Sequence, residues 1–110
     1  GGLKGSPIIG AYGVSKAADM QVARNFSVEF GPRGVRVNCI APGLIRTDMA
    51  RALWENEENL RRSTAASTLK RIGEPHEIAG AAVFLASKAG AFTTGQTIVC
   101  DGGATISGGA

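Results

Sequence analysis

Apolar side chains recur at every fourth position in the first part of the chain. The helix predicted over residues 12–30 carries one apolar stripe, formed by Val14, Ala18, Val22, Phe26 and Phe30. A second, thinner stripe lies round the same helix and consists of Ala17, Met20 and Val28. The apolar surface is therefore wider than one packing face requires, which indicates a second partner such as another subunit.

Two short apolar runs are typical of β-strands. The first covers about residues 35–41, which are rich in β-branched side chains and grow more apolar toward Ala41. Pro42-Gly43 should end this strand, because the pair cannot continue a hydrogen-bonded ladder. The second strand covers about residues 97–101 and stops at the Asp101-Gly102-Gly103 turn.

The stretch between the strands predicts helices of two kinds. Residues 49–64 have a weak helical pattern, so we expect short, broken helices that form a mobile lid rather than a core. Residues 75–88 predict a regular helix, with Pro75 in the first turn, where its missing N–H costs nothing.

Strand, helices and strand in this order form a βαβ unit. The fold class is therefore α/β, with parallel strands and a right-handed crossover. Both strands are apolar enough for burial on two faces. Because a sheet usually has about five or six strands, we expect the missing neighbours upstream of Gly1, and the chain to be the later part of a larger domain.

Tyr12 and Lys16 are the first residues with candidate catalytic chemistry. They place a phenol and an ammonium group four residues apart at the start of a helix, and so on one face. A free tyrosine titrates near about 10, and a nearby cation lowers this pKa by favouring the phenolate. The pair is therefore a candidate general acid and base. On spacing alone, an exposed Tyr and Lys on a helix surface is the commoner explanation.

The loop after the first strand is the second candidate site. Ligands of open α/β sheets bind outside the carboxyl ends of the strands, and Pro42-Gly43 shapes a turn at that point. Ile45 then offers backbone groups, and Thr47 offers a hydroxyl that donates or accepts a hydrogen bond. Together with the phenol–ammonium pair, this loop favours a binding site over an isolated turn.

These residues and the later motifs resemble the C-terminal half of classical short-chain dehydrogenases/reductases. Four blocks match the family in order and span nearly the whole chain: Tyr12-x-x-x-Lys16; Val35-Arg36-Val37-Asn38 with Pro42-Gly43-x-Ile45-x-Thr47; Arg71-x-Gly73-x-Pro75 with Glu77-Ile78-Ala79; and Thr94-Gly95-Gln96 with Asp101-Gly102-Gly103. Each motif alone is weak, but four of them at the expected intervals argue against chance.

The resemblance implies the C-terminal part of a Rossmann-type, doubly wound parallel sheet. It also implies an enzyme that moves a hydride between NAD or NADP and a carbonyl or secondary alcohol carbon. Tyr12 would be the catalytic acid and base, and Lys16 would lower its pKa; both would also contact the cofactor, Lys16 through the nicotinamide ribose. The Ile45 backbone and the Thr47 side chain would hold the carboxamide, which Pro42 and Gly43 let the loop approach closely.

The same resemblance makes residues 48–68 a substrate-binding lid, with wall residues Leu44, Met49, Leu53 and Trp54. The family's catalytic serine, its glycine-rich phosphate loop and the residue that selects NAD or NADP would all lie upstream of Gly1. We therefore expect residues 1–110 to form a partial NAD(P)-binding domain. Alone it should be unstable, inactive and unable to bind NAD(P)H.

Two other functions stay open. An extended-family sugar-nucleotide epimerase shares the Tyr and Lys pair, but such proteins carry a larger C-terminal domain than the short tail after Gly103 offers. A non-catalytic binding protein of the same fold is disfavoured by the intact Tyr12 and Lys16. The lid has no diagnostic charge, so it specifies no substrate beyond a small carbonyl or alcohol compound.

Composition mainly adds exclusions. The 110-residue chain has a formal net charge of +3 from scattered Lys and Arg, and 5% aromatic residues, which disfavours a nucleic-acid surface. No apolar run has membrane-spanning length and no signal peptide is evident, so we expect a cytoplasmic protein without a membrane partner. Cys39 and Cys100 lack metal-ligand spacing, so no metal is expected.

The resemblance also bears on assembly, because members of this family pair subunits through the helix that corresponds to residues 12–30. It therefore predicts a homodimer or homotetramer that forms through this helix.

Overall fold

The computed structural model describes residues 10–107, with side chains from residue 17 onward. Its regular elements are helix α1 (Gly10–Phe30), strand β1 (Cys39–Pro42), helix α2 (Glu57–Ser63), helix α3 (Pro75–Ala86) and strand β2 (Thr97–Cys100). Short 3-10 turns lie at Gly31–Arg33, Arg51–Leu53 and Lys88–Gly90. The predicted α/β order, and the broken helices expected over residues 49–64, are thus confirmed.

Strands β1 and β2 pair in parallel. The ladder is flanked by two backbone bonds of 2.9 Å, from the Cys39 N–H to the Gln96 carbonyl and from the Gly43 N–H to the Cys100 carbonyl. Strand β1 ends at Pro42, so the prediction that the strand ends at Pro42-Gly43 is confirmed, although the Gly43 N–H still bonds to β2. In a parallel ladder alternate N–H groups face the same neighbour, so Pro42 lies where its missing N–H would point away from β2 and takes nothing from the ladder.

The first strand begins later than the predicted residue 35. The segment before Cys39 keeps one backbone bond, from the Gly95 N–H to the Val37 carbonyl at 2.7 Å, and is otherwise held by side chains: Val37 N–H donates to Thr94 Oγ1 at 3.1 Å, and Asn38 Oδ1 accepts from Gln96 N–H at 3.0 Å. Because hydroxyl and amide groups take the places of ladder partners, regular pairing starts only at Cys39.

Helix α1 packs through Met20 of its second apolar stripe and through Ala23, which lies beside that stripe. Met20 and Ala23 are 5% and 6% exposed, whereas Val22 and Phe26 of the first stripe are 46% and 45% exposed. Next to the buried pair, Ser27 Oγ and Thr94 Oγ1 share a hydrogen bond of 2.7 Å. The inward face therefore uses small and polar residues where the segment around Thr94 comes close.

The capping of α2 and α3 follows ordinary helix chemistry. Asn56 caps α2 by accepting a hydrogen bond from the Asn59 N–H at 2.8 Å. Helix α3 starts at Pro75 as predicted but ends at Ala86 rather than at residue 88, because Ser87 starts a 3-10 turn by accepting the Ala89 N–H at 3.2 Å.

The described chain forms two compact units. One contains residues 10–40 and 83–98, and the other contains residues 41–82 and 99–107. Their buried apolar side chains are few: Met20 and Ala23 in the first unit and Ile72 in the second. No helix within residues 10–107 has both the length and the apolar character of a membrane span.

Candidate functional site

The turn after β1 requires a glycine. A Cβ at Gly43 would lie 2.7 Å from the Asp101 Cα and 2.8 Å from its Cβ. Since real Cβ atoms do not approach other carbons so closely, only glycine lets the end of β1 lie against the residue that follows β2. The loop beyond Gly43 starts from this fixed point.

Ile45 is held by a parallel bridge to Gly73. The Gly73 N–H donates to the Leu44 carbonyl at 3.0 Å, and the Arg46 N–H donates to the Gly73 carbonyl at 2.9 Å. A bridge of this type uses the groups on either side of Ile45, so the N–H and C=O of Ile45 itself point away from Gly73. Among the backbone groups of residues 10–107 and the side chains of residues 17–107, neither group has a hydrogen-bond partner.

Thr47 contributes a hydroxyl and a fixed carbonyl. Its Oγ1 accepts a hydrogen bond from the Ala50 N–H at 3.3 Å, which leaves the hydroxyl proton free to donate. Its carbonyl accepts the indole N–H of Trp54 at 2.9 Å. Sequence reasoning missed this use of Trp54, and no local pattern signals it.

The Arg71-x-Gly73-x-Pro75-x-Glu77 motif anchors the start of α3. Arg71 and Glu77 form two hydrogen bonds of 2.7 Å each, and Glu77 Oε1 also accepts the Glu74 N–H at 3.0 Å. The latter bond is half of a capping box. The Arg71 hydrogen bonds, followed by that from Glu74, lower the pKa of Glu77 from 4.5 to about 2. The prediction that Glu77 is a cap group is confirmed.

Asp101 organises the turn after β2. Its carboxylate accepts the N–H groups of Gly103 at 2.9 Å and Thr105 at 2.8 Å. Burial alone raises the pKa of Asp101, but the hydrogen bonds from Thr105 and Gly103 outweigh it and hold this pKa below its ordinary value. Asp101 is thus a turn residue, as predicted, and it stays ionised.

A cavity of about 530 Å³ lies in the second unit, between the Leu44–Ile45 loop, residues 63–73, the start of α3 and residues 99–104. This volume is in the range of small-molecule sites. Leu44 and Ile45 line the cavity, whereas Met49 (98% exposed), Leu53 (50% exposed) and Trp54 do not. Leu44 is thus near a cavity of suitable size, and the substrate role of all four residues stays a prediction.

The predicted Tyr12 and Lys16 pair lies within α1, but both side chains fall outside the described residues. Cys39 and Cys100 are free and half-buried. In the part of the chain with described side chains, no three His, Cys, Asp or Glu residues lie together as metal ligands.

The later motifs and the loop after β1 agree with comparisons to known proteins. The family model described as enoyl-(acyl carrier protein) reductase matches residues 1–105. "Dehydrogenase/reductase SDR family member 4" from Bos taurus is 44% identical over 97 residues, covering 88% of this chain and 35% of that protein. The chain belongs to the short-chain dehydrogenase/reductase family. It therefore spans about a third of this relative's length.

Solved structures of short-chain dehydrogenases/reductases share the fold. A 4-hydroxyisoleucine dehydrogenase complexed with NADH has a TM-score of 0.89 at 33% identity, covering 96% of this chain and 43% of its own. A gluconate 5-dehydrogenase from Burkholderia cenocepacia, in complex with NADP and tartrate, has a TM-score of 0.83 at 32% identity. The match covers 94% of this chain and 40% of the dehydrogenase chain. The expected Rossmann-type fold is confirmed, and nicotinamide cofactors are used within this family.

The loop after β1 fits the carboxamide of such a cofactor. A carboxamide carries N–H donors and a carbonyl acceptor. The outward carbonyl and N–H of Ile45 and the hydroxyl of Thr47 supply the matching acceptor and donors. These donors and the acceptor lie at the carboxyl end of a parallel strand, which is where the family resemblance implies the nicotinamide binds.

Proposed function

We propose that the protein is an oxidoreductase that transfers a hydride between NAD or NADP and a carbonyl or secondary alcohol substrate. Family membership supports the reaction class. The observation that carries the proposal is the outward-facing Ile45 backbone beside Thr47 at the end of β1. When bound, the nicotinamide supplies or accepts the hydride at the substrate carbon.

Tyr12 provides the acid and base in this proposal. During reduction its phenol donates a proton to the carbonyl oxygen, and during alcohol oxidation its phenolate accepts one. Lys16 lies one helical turn further along α1 and stabilises the phenolate, which lowers the Tyr12 pKa toward neutrality. Pro42-Gly43 brings the loop close to the cofactor, which Ile45 and Thr47 orient, and residues 48–68 cover the substrate.

Assembly and location belong to the same proposal. We place the protein in the cytoplasm, as a homodimer or homotetramer that forms through helix 12–30. The exposed apolar residues of α1 support the assembly, since Val28 is 80% exposed and lies on the stripe that sequence analysis assigned to a partner.

Replacing Tyr12 tests the proposed reaction in the full-length protein. Tyr12→Phe should lower the turnover of NAD(P)H with a ketone panel by at least about a hundredfold, because the general acid is removed. Binding of NAD(P)H, measured as its dissociation constant, should stay largely intact. Tyr12 is the only tyrosine of the chain, so no second phenol here can substitute for it.

Lysine variants provide the matched control. Lys16→Met should also reduce turnover, whereas Lys88→Met, which removes an ammonium group from the exposed Lys88–Gly90 turn, should not. Undiminished turnover in Tyr12→Phe would contradict the proposed mechanism.

A further inference from the structure

Trp54 of the predicted lid bonds to the loop after β1, residues 43–47, and does not line the cavity. Because this loop is expected to bind the cofactor, it is called the cofactor loop below. The indole N–H of Trp54 donates to the carbonyl of Thr47 at 2.9 Å. The side chain is half-buried and lies outside the lining of the 530 Å³ cavity. Trp54 therefore contacts the backbone of the residue whose hydroxyl is expected to bind the carboxamide.

Two arginines hold the indole ring in place. The guanidinium carbon of Arg46 lies 5.0 Å from the Trp54 ring centroid, and that of Arg51 lies 5.4 Å from it. Both distances are typical of cation–π contacts. Arg51 is itself paired with Asp48 at 2.8 Å, so its guanidinium is anchored over the ring.

Arg46 links the same cluster to the start of α3. Its Nε donates to Glu74 Oε1 at 2.9 Å, while its backbone N–H completes the bridge to Gly73. Arg46 stands between Ile45 and Thr47 in the chain. The two expected carboxamide-binding residues are thus fixed by the Gly73 bridge on one side and by the Trp54 hydrogen bond on the other.

We propose that Trp54 is a positioning residue that orients Thr47 for the nicotinamide carboxamide. The Thr47 carbonyl accepts the Trp54 indole N–H at 2.9 Å and the Ala50 N–H at 3.2 Å, which fixes the peptide plane after Thr47. The same Ala50 N–H also bonds Thr47 Oγ1 at 3.3 Å, so it couples this plane to the direction of the hydroxyl. Pre-organised groups bind a ligand more tightly, because less conformational freedom is lost on binding. This inference rests on the proposed use of NAD or NADP.

Trp54→Phe in the full-length protein tests this role, because it keeps an aromatic ring below the two arginines and removes the indole N–H donor. Loss of one hydrogen bond predicts a rise of about fivefold in the dissociation constant for NAD(P)H, measured by fluorescence titration. Binding of the matching ADP-ribose compound, which lacks the nicotinamide, should not change. The KM for the carbonyl substrate should also stay constant.

Arg33→Ala is the matched control, because it removes an exposed arginine from the Gly31–Arg33 turn, outside both the lid and the loop after β1. It should leave all three constants unchanged. If Trp54→Phe binds NAD(P)H as tightly as the wild type, or raises only the substrate KM, Trp54 is not a positioning residue for the cofactor.

A second variant keeps the inference testable if Trp54→Phe does not fold. Arg46→Gln removes both the ion pair with Glu74 and the cation over the ring. It should raise the dissociation constant for NAD(P)H and leave that for the ADP-ribose compound unchanged. Unchanged NAD(P)H binding would overturn the inference. A wild-type protein that binds no NAD(P)H would instead contradict the proposed function, and the inference with it.

Discussion

At the scale of single residues, the two glycines after β2 permit an unusually dense set of hydrogen bonds. The Gly102 carbonyl accepts the Leu69 N–H at 3.0 Å, Ser67 Oγ at 2.9 Å and Thr68 Oγ1 at 3.0 Å. Gly102 and Gly103 have φ values of +64° and +90°. Only glycine adopts such angles without strain while leaving room for the two hydroxyl groups.

Gly103→Ala should therefore destabilise the full-length protein. The positive φ alone costs roughly 1–3 kcal/mol for alanine, and a Cβ at Gly103 would also overlap Thr68 Oγ1. Gly80→Ala is the control, since Gly80 lies in α3 with nothing within 4 Å of its Cβ position. That change should stabilise the protein by about 0.5–1 kcal/mol. Urea unfolding measures both, and equal effects in the two variants would contradict the argument.

At the scale of elements, α3 begins at a charge cluster formed by Arg71, Glu74 and Glu77. The two bonds of Glu77 to Arg71, with its bond to the Glu74 N–H, join the helix start to the segment before it. This explains why an arginine and a glutamate stand at these positions of the motif. The same segment carries Gly73, which bridges Ile45, so the charge cluster also helps to hold the loop after β1.

The charge cluster predicts a specific acid sensitivity. The pKa of Glu77 falls from 4.5 to about 2 on folding. A lowered carboxylate pKa contributes stability above the unfolded value and loses it as the pH falls through the folded value. The stability difference between wild type and Glu77→Gln should therefore be largest near neutral pH and vanish by about pH 2.

Unfolding by urea at a series of pH values measures this difference. Glu58→Gln is the control, because it breaks an exposed ion pair of α2, and such pairs contribute little. A Glu77→Gln difference that does not depend on pH between 5 and 2 would show that the ion pair is not formed in solution.

At the scale of the whole molecule, most large apolar side chains of the described residues remain at least partly exposed. In the unit of residues 10–40 and 83–98, Val28 is 80% exposed, Val83 is 66% exposed and Phe92 is fully exposed. Removal of large apolar side chains from water is energetically favourable. Further protein is therefore expected to cover these side chains, either from the rest of the fold or from another subunit.

Val28→Glu tests the proposed assembly through α1. A buried, unpaired carboxylate at an interface is strongly unfavourable, so sedimentation of the full-length variant at micromolar concentration should show smaller species than the wild type. Lys88→Glu introduces a carboxylate at an exposed polar position of the Lys88–Gly90 turn and should leave the assembly intact. A monomeric wild type, or dissociation by Lys88→Glu alone, would contradict an interface on α1.

Some features followed from sequence alone because they depend on neighbours along the chain. Apolar periodicity and helix-breaking residues predicted α1, α3 and the broken helices of the lid, and strand order predicted the parallel α/β arrangement. The roles of Asp101 and Glu77 as turn and cap groups were equally local, since each bonds N–H groups within four residues of itself. Motif order identified the family.

Other features depended on residues far apart in sequence, which only the tertiary structure brings together. Thr94 and Asn38 take hydrogen bonds that a longer strand would have used, so β1 begins at Cys39. Contact with Thr94 likewise decides which face of α1 is buried. Trp54 is predicted as an apolar lid residue, but its N–H bonds to the loop after β1, because folding places Thr47 and Arg46 beside it.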